Sequence, residues 1–174
     1  IVFGVILGTG VGGGLVVDGQ PLGGPNAISG EWGHNPLPWT QDSERPGPEC
    51  YCGQYGCIEA FLSGPGLIHD HETHTGQVSC APDITDSETL ARYEHRLARA
   101  LASVINIVDP DVIVLGGGLS NIGRLYQNVP VLWQSWIFSD TCVTPLKKNH
   151  HGDSSGVRGA AWLWPAASDV GADA

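Results

Sequence analysis

The feature that most limits how this chain can fold is residues 23–57, a glycine- and proline-rich segment with almost no hydrophobic period. An irregular stretch of this length inside a compact domain needs either a functional role or a staple. Three of the five cysteines of the chain, Cys50, Cys52 and Cys57, lie at the end of this segment. The sequence therefore predicts a loop that is held in shape by its cysteines.

The spacing of the cysteines favours a metal site over a disulfide. Cys50 and Cys52 are too close in sequence for an unstrained bridge, and nothing in the chain suggests secretion. His34 lies sixteen residues before Cys50, and three thiolates with one imidazole form a complete tetrahedral zinc set. Buried free thiols or a local disulfide are the alternatives. Cys80 and Cys142 are interpreted as plain thiols.

Two carboxylates, Glu31 and Glu59, flank the cysteines together with His34. A zinc ion with four protein ligands has no open position for Lewis-acid chemistry, so its predicted role is to fix its neighbours. Carboxylates that accept hydrogen bonds from paired hydroxyl groups are what a sugar site needs. Ordinary surface solvation is the alternative interpretation of both glutamates.

The rest of the chain predicts an α/β domain. Residues 1–7 are predicted as a buried strand that forms a hairpin with the next one, and Asp18-Gly19 indicates a further turn. Helices are predicted at 58–62, from 65, at 87–109, at 122–137 and at 154–164. Further strands are predicted at 109–116 and 142–149. The histidines on helices or loops, His69, His71, His74 and His95, are predicted to be solvated.

Two glycine-rich turns follow predicted strands, "LGTGVGGG" at 7–14 and "LGGGLS" at 115–120. Backbone N–H groups without side chains in the way suit phosphate oxygens, and Thr9 adds a hydroxyl donor. The first turn is not a Walker motif, because no Lys-Ser/Thr pair follows it. Each turn alone fits a tight hairpin equally well, but two in one chain favour a nucleotide site.

The charge of the chain argues against two classes of partner. The formal net charge is −10 with only eight Lys and Arg residues, so nucleic acid and anionic membranes are not expected partners. No apolar stretch approaches the ~20 residues that a membrane span needs. We expect a cytoplasmic protein.

Four motifs together resemble the ROK family of sugar kinases, repressors and open reading frames: "GEWGHNPLPW", "CYCGQYGCIE", "DPDVIVLGGGLS" and "HGDSSGVRGAAWLWP". The likeness covers nearly the whole chain and is strongest to bacterial fructokinases with mannokinase activity. It implies an actin-like, ribonuclease-H-like α/β fold. Residues 1–164 would be its C-terminal lobe, with the zinc and sugar loop at 23–60 and a disordered tail at 165–174.

The resemblance implies ATP-dependent phosphorylation of a hexose, in the first place fructose, with zinc as a structural ion and Mg²⁺ as a cofactor. It places zinc on His34, Cys50, Cys52 and Cys57, and the sugar on Glu31, His34 and Glu59. It places the ATP phosphates on Gly8, Thr9, Gly10 and Gly12, and adenosine on Gly116, Gly117 and Gly118.

Other functions fit the same motifs. The alternatives are an N-acetylglucosamine or glucose kinase of the family, a sugar-responsive repressor, and a zinc-stabilised binding module without catalysis. The full-length protein is expected to form a homodimer.

The chain also departs from the family pattern. The N-terminal lobe with its D-x-G-G-T-K motif, and the aspartate that serves as general base, are expected to precede residue 1, so the isolated chain is predicted to be inactive. Residues 76–90 are shorter and more polar than the corresponding segment of related fructokinases. Trp162, Leu163 and Trp164 are predicted to be exposed in the absence of the first lobe.

Overall fold

The computed structural model describes residues 1–152 together with Gly156 and Gly159. Five strands form one mixed sheet: β1 (Val2–Leu7), β2 (Val11–Val17), β3 (Gln20–Pro21), β4 (Val112–Gly116) and β5 (Leu146–Lys148). Their order across the sheet is β3-β2-β1-β4-β5.

The helices are α1 (Ile58–Leu62), α2 (Gly64–Thr75), α3 (Ser87–Val108) and α4 (Leu125–Leu132). Short 3₁₀ helices lie at Asp42–Glu44, Ala81–Asp83, Gly118–Asn121 and Trp133–Trp136. Within the part of the chain that the structure describes, every helix is too short or too polar to cross a bilayer.

The sheet confirms the predicted hairpin and the strand predicted at 109–116. β1 and β2 pair antiparallel, with Leu7 opposite Val11. β2 continues into β3 through Asp18 and Gly19, whose φ angles of 50° and 77° are those of a type I′ turn. β4 pairs parallel with β1 and β5 pairs parallel with β4. The carboxyl ends of β1 and β4 therefore open onto the same edge of the sheet.

The long helix α3 lies in the core. Asp86 caps its start by accepting the Thr89 N–H at 2.8 Å, which satisfies one of the free donors of the first turn. The hydroxyl of Tyr93 donates to the Leu62 carbonyl at 2.9 Å and so ties α3 to α1. An apolar stripe along this helix is buried at Leu90, Tyr93, Leu97, Leu101 and Ile105, with Val104 partly buried beside it. Each such side chain stabilises the fold by about 1.5–3 kcal/mol.

An apolar anchor holds the first part of the irregular segment 23–57. Trp32 is 4% exposed and packs edge-on against Phe3, with 5.5 Å between the ring centroids. Its Nε1–H donates to the Gly12 carbonyl of β2 at 2.9 Å. The segment is thus fastened to the sheet well before the cysteines begin.

A buried ion-pair network is the second anchor of the segment. The carboxylate of Glu44 accepts from Arg96 Nε at 3.0 Å and from Arg99 Nη2 at 2.6 Å. Arg96 Nη1 also donates to Asp70 at 2.7 Å, and Arg92 Nε donates to the same carboxylate at 2.9 Å. The network therefore joins the irregular segment to both α2 and α3. Sequence reasoning did not identify it.

One prediction about exposure is wrong. His71 is 5% exposed and its Nδ1 lies 3.2 Å from the Thr89 hydroxyl, because α2 packs this side of the helix on α3. His69, His74 and His95 are exposed, as predicted.

Other predictions stay untested by the structure. The segment 76–90 contains the 3₁₀ helix Ala81–Asp83, and its shortness relative to fructokinases remains a prediction. Trp162, Leu163, Trp164 and the tail 165–174 lie outside the described residues, and so does the helix predicted at 154–164, apart from Gly156 and Gly159.

Candidate functional site

The four side chains predicted to bind metal come together in the structure. The candidate ligand atoms of His34, Cys50, Cys52 and Cys57 all lie within 4.8 Å of one another. The Sγ atoms of Cys52 and Cys57 are 3.7 Å apart, and Cys50 Sγ is 3.4 Å from His34 Nδ1. Around a tetrahedral zinc ion, sulfurs would be separated by about 3.8 Å, and sulfur and nitrogen by about 3.6 Å. The spacing therefore fits zinc.

Local backbone bonds aim the sulfurs at one point. The Gly53 N–H donates to the Cys50 carbonyl at 2.9 Å, and the Cys50 N–H donates to Gln54 at 2.8 Å. Gly53 and Gly56 have positive φ angles of 85° and 72°, a conformation that costs glycine little. Cys57 is the N-cap of α1. All five cysteines are free thiols in the structure.

The buried thiol of Cys57 and the exposed thiol of Cys52 differ in acidity. Burial raises the pKa of the Cys57 thiol to about 12. A hydrogen bond from the Gln54 backbone lowers the pKa of the Cys52 thiol to about 7. Because zinc binds thiolates, loading the cluster at neutral pH has to displace the proton of Cys57, so metal affinity rises with pH.

A cleft of about 680 Å³ lies beside the cluster. Glu59, Tyr51 and Thr9 are among the residues that line it. Glu59 Oε2 accepts the Val11 N–H at 2.7 Å, which fixes this carboxylate at the turn between β1 and β2. Its other oxygen lies 3.9 Å from His34 Nε2. One imidazole therefore faces the cysteines with Nδ1 and the Glu59 carboxylate with Nε2.

Glu31, the third predicted sugar residue, is placed differently from Glu59 and His34. Its side chain is exposed, and like His34 it is not among the residues that line the 680 Å³ cleft. The charge of Glu59 is the largest of several effects that raise the pKa of Tyr51, and the charge of Glu31 is also among them. The structure thus brings His34 and Glu59 together, and of the three predicted sugar residues only Glu59 lines the cleft.

A second cavity, of about 950 Å³, lies where the two glycine turns meet. Gly8 and Thr9 follow β1, and Gly118 follows β4, and all three line this cavity. Apolar side chains cover much of the remaining wall: Ile68, Ile84, Leu90, Leu119 and Ile122. A cavity with a glycine-rich edge and an apolar wall suits a nucleotide.

The other predicted glycines have different places. Gly10 lines the 680 Å³ cleft. Gly12 and Gly116 lie in strands β2 and β4, where both pair with Ile6. The prediction that Gly12 belongs to a turn is therefore wrong, because β2 begins earlier in the first glycine run than its composition indicates. Gly116 ends the strand predicted at 109–116.

The two cavities are neighbours that share part of their lining. Thr9 and Pro65 line both of them. The turn after β1 and the start of α2 thus separate the cleft beside Glu59 from the cavity at the glycine turns. Two ligands bound in these spaces would meet at Thr9.

Arg124 is a residue of the second cavity that sequence reasoning missed. Its Nε and Nη2 donate to the two carboxylate oxygens of Glu94 at 2.5 and 3.1 Å. Glu94 is 2% exposed and also accepts from Asn128 at 3.0 Å. A carboxylate inside the core-facing half of α3 is the sequence signal that could have pointed to this pair.

Gly117 sets how closely the second glycine turn approaches β1. Its φ is 80°, and a Cβ atom there would lie 2.4 Å from the Leu7 carbonyl oxygen, whereas a Cβ on Gly118 would meet nothing within 4 Å. We expect Gly117→Ala to lower the free energy of unfolding by about 2 kcal/mol or more. Gly118→Ala is the matched control and is expected to change it by less than about 0.5 kcal/mol. Equal urea midpoints for the two variants would contradict this prediction.

The sequence profile of the ROK family matches residues 1–167 of the chain. The N-acetyl-D-glucosamine kinases of Pectobacterium atrosepticum and Erwinia tasmaniensis are 39% and 40% identical to it over 176 aligned residues. These alignments cover 94% of this chain and 58% of each relative. The chain thus spans less than two thirds of the length of these curated relatives.

Solved structures show the same fold. The ROK hexokinase of Thermus thermophilus superposes with a TM-score of 0.76 at 26% identity, over 92% of this chain and 57% of that one. A ROK family glucokinase of Streptomyces griseus, solved with glucose and AMPPNP, gives a TM-score of 0.77 at 23% identity, over 93% and 59%. The predicted α/β fold of the actin-like type is confirmed.

Proposed function

The chain belongs to the ROK family, and from this premise we propose that it carries the metal loop, the sugar site and part of the nucleotide site of an ATP-dependent hexose kinase. The observation that carries the proposal is the pair of adjoining cavities. One has the carboxylate of Glu59 at its wall, the other has the glycine turns, and Thr9 lines both. A phosphoryl transfer needs its two substrates bound next to each other, because positioning supplies most of its rate enhancement.

The substrate we propose first is N-acetylglucosamine. The curated relatives at 39–40% identity are N-acetyl-D-glucosamine kinases, which favours this alternative over the fructose that motif likeness suggested. Glucose and fructose are the comparison sugars, because Glu59 and His34 would serve the hydroxyl groups of any of them.

Each residue has a defined task in this proposal. Glu59 accepts hydrogen bonds from sugar hydroxyls, and His34 donates its Nε2–H to one of them. The Gly8 N–H donates to the Gly10 carbonyl at 3.0 Å, so it does not serve phosphate. The donor that this turn offers to phosphate from a side chain is the Thr9 hydroxyl. Mg²⁺, when bound, neutralises phosphate charge. The predicted general base, an aspartate, is not assigned to any residue of this chain.

Zinc is proposed as a structural ion. His34, Cys50, Cys52 and Cys57 would hold it and fill its tetrahedral shell. It would orient His34, because binding through Nδ1 would leave Nε2 protonated and facing Tyr51 and Glu59, two residues that line the cleft. This arrangement links the metal loop to the sugar site through one ring.

Glu59→Gln tests the proposed sugar site. In the intact gene product we expect ATP-dependent phosphorylation, measured as ADP release, to be fastest with N-acetylglucosamine. The amide can still accept the Val11 N–H, but it loses the charge that strengthens hydrogen bonds from hydroxyls. We therefore expect kcat/KM to fall about 10- to 100-fold with an unchanged melting temperature.

Glu72→Gln, on the exposed side of α2, is the matched control and should keep full activity. Absence of phosphorylation with N-acetylglucosamine, glucose and fructose alike would overturn the kinase proposal. Nucleotide binding by the same protein would separate a kinase from a sugar-responsive repressor.

A further inference from the structure

Tyr51 takes up the hydrogen bond that His34 directs toward the cleft. The Tyr51 hydroxyl lies 2.8 Å from His34 Nε2. The two rings meet edge to face, with 5.0 Å between centroids and 90° between planes. The tyrosine is otherwise 85% exposed, so the contact with His34 is its main attachment to the protein.

His34 can donate only one hydrogen bond toward Tyr51 and Glu59. A neutral imidazole carries one proton, and with Nδ1 turned to Cys50 and the proposed zinc, that proton sits on Nε2. The Tyr51 hydroxyl at 2.8 Å accepts it, whereas the Glu59 oxygen at 3.9 Å is beyond hydrogen-bond distance. A sugar hydroxyl that binds His34 must therefore replace the Tyr51 hydroxyl.

We propose that Tyr51 is a displaceable cap on the sugar cleft, which satisfies His34 in the empty protein and leaves when a hexose hydroxyl takes its place. The inference rests on the proposed function, because it assumes that the cleft binds a hexose. It adds a residue that sets affinity and selectivity. A sugar without a hydroxyl in reach of His34 gains nothing to offset the lost Tyr51 bond, so the cap discriminates against it.

The displacement requires little of the surrounding chain. The turn that carries Tyr51 is held by the bonds of Cys50 with Gly53 and Gln54, none of which involves the tyrosine side chain. Rotation about its own side-chain bonds moves the ring away from His34, and the metal ligands on either side stay where they are. The cap is thus a side chain on a fixed loop.

Tyr51→Phe removes the competing hydroxyl and keeps the ring. In the intact zinc-loaded protein, titration calorimetry with N-acetylglucosamine is expected to show a dissociation constant about two- to tenfold lower than in the unaltered protein, because the site no longer has to break a hydrogen bond first. Tyr55→Phe changes the other exposed tyrosine of the same loop and should leave the constant unchanged. Zinc content should stay equal in all three proteins.

The sugar affinity and the zinc content of Tyr51→Phe decide whether Tyr51 caps the cleft. Equal or weaker sugar binding by Tyr51→Phe, with binding by the unaltered protein, overturns the cap and leaves the sugar site intact. Loss of zinc in Tyr51→Phe also overturns it, since the tyrosine would then support the metal site. If no protein binds N-acetylglucosamine, glucose or fructose, the sugar site itself fails and the cap with it. NMR of the protein labelled with ¹³C at the tyrosine Cζ gives a second test. The Tyr51 signal is assigned as the one that is missing from the spectrum of Tyr51→Phe. This signal should shift when the sugar is added, and an unchanged signal contradicts the cap.

Discussion

Cys57→Ser is expected to abolish zinc binding and to lower the melting temperature by about 10–20 °C. Structural zinc sites in small domains contribute about 10–16 kcal/mol of binding free energy. A loss of only about 5 kcal/mol of folding free energy would lower the melting temperature of a chain of this size by about 10–20 °C. Cys57, at the start of α1, is the most buried member of the cluster, so its loss opens the cluster at its most protected side. Elemental analysis and thermal unfolding check both parts of the prediction.

The damage should be local at first. Trp32 and Glu44 anchor the segment independently of the cysteines, so we expect the sheet and α3 to remain folded at room temperature. Hydrogen exchange should accelerate at the amides of Cys50, Gly53 and Gly56, which close the metal loop through backbone bonds. Cys80→Ser, an exposed thiol outside the cluster, is the matched control. Full zinc content and an unchanged midpoint in Cys57→Ser would refute the metal site.

Glu44→Ala is expected to lower the free energy of unfolding by about 3–5 kcal/mol. The substitution leaves the Arg99 guanidinium buried without its carboxylate partner, and an uncompensated buried charge costs this much. Arg96 keeps its ion pair with Asp70. The neighbouring pair Asp42–Arg45, 3.4 Å apart and on the surface, provides the control, and Asp42→Ala should leave the denaturant midpoint nearly unchanged. Equal denaturant midpoints for the two variants would show that the network contributes nothing.

The same carboxylate makes stability depend on acid pH. Burial alone would raise the pKa of Glu44, but hydrogen bonds from Arg99, from the Gln41 N–H and from Arg96 outweigh it and lower the pKa from 4.5 to about 2. A depressed pKa in the folded state contributes stability that is complete above about pH 5 and is lost as the pH falls toward 2. The difference amounts to about 3 kcal/mol. Glu44→Gln should remove this part of the pH dependence of the free energy of unfolding.

Much of the fold was predictable because the signals were local. The hairpin at Asp18-Gly19, the apolar stripe of α3 and the β-branched run of β4 each follow from a short stretch of sequence. The anchors of the irregular segment are different. Glu44 meets Arg99 across 55 positions, and no periodicity in 23–57 distinguishes it from Asp42, which is fully exposed. Its burial is decided by tertiary packing.

The candidate site divides in the same way. The sequence spacing of the cysteines and His34 predicted that these four side chains meet, because three cysteines and a histidine so close in sequence are typical of a metal site. Tyr51 was missed, since a tyrosine between two cysteines carries no signal of its own. Its contact with His34 arises only when the loop closes. Gly12 was misplaced because composition cannot show where a strand begins within a run of glycines.

The wall that Thr9 and Pro65 share between the two cavities has a consequence for inhibitor chemistry. Under the proposed function, a bisubstrate compound, in which a short tether joins a sugar to an adenosine phosphate, would have to pass over Thr9 and Pro65 to occupy both spaces. Its second half would bind at a high effective concentration once the first was seated. Such a molecule would also report, through the best tether length, the distance that the transferred phosphoryl group has to cover.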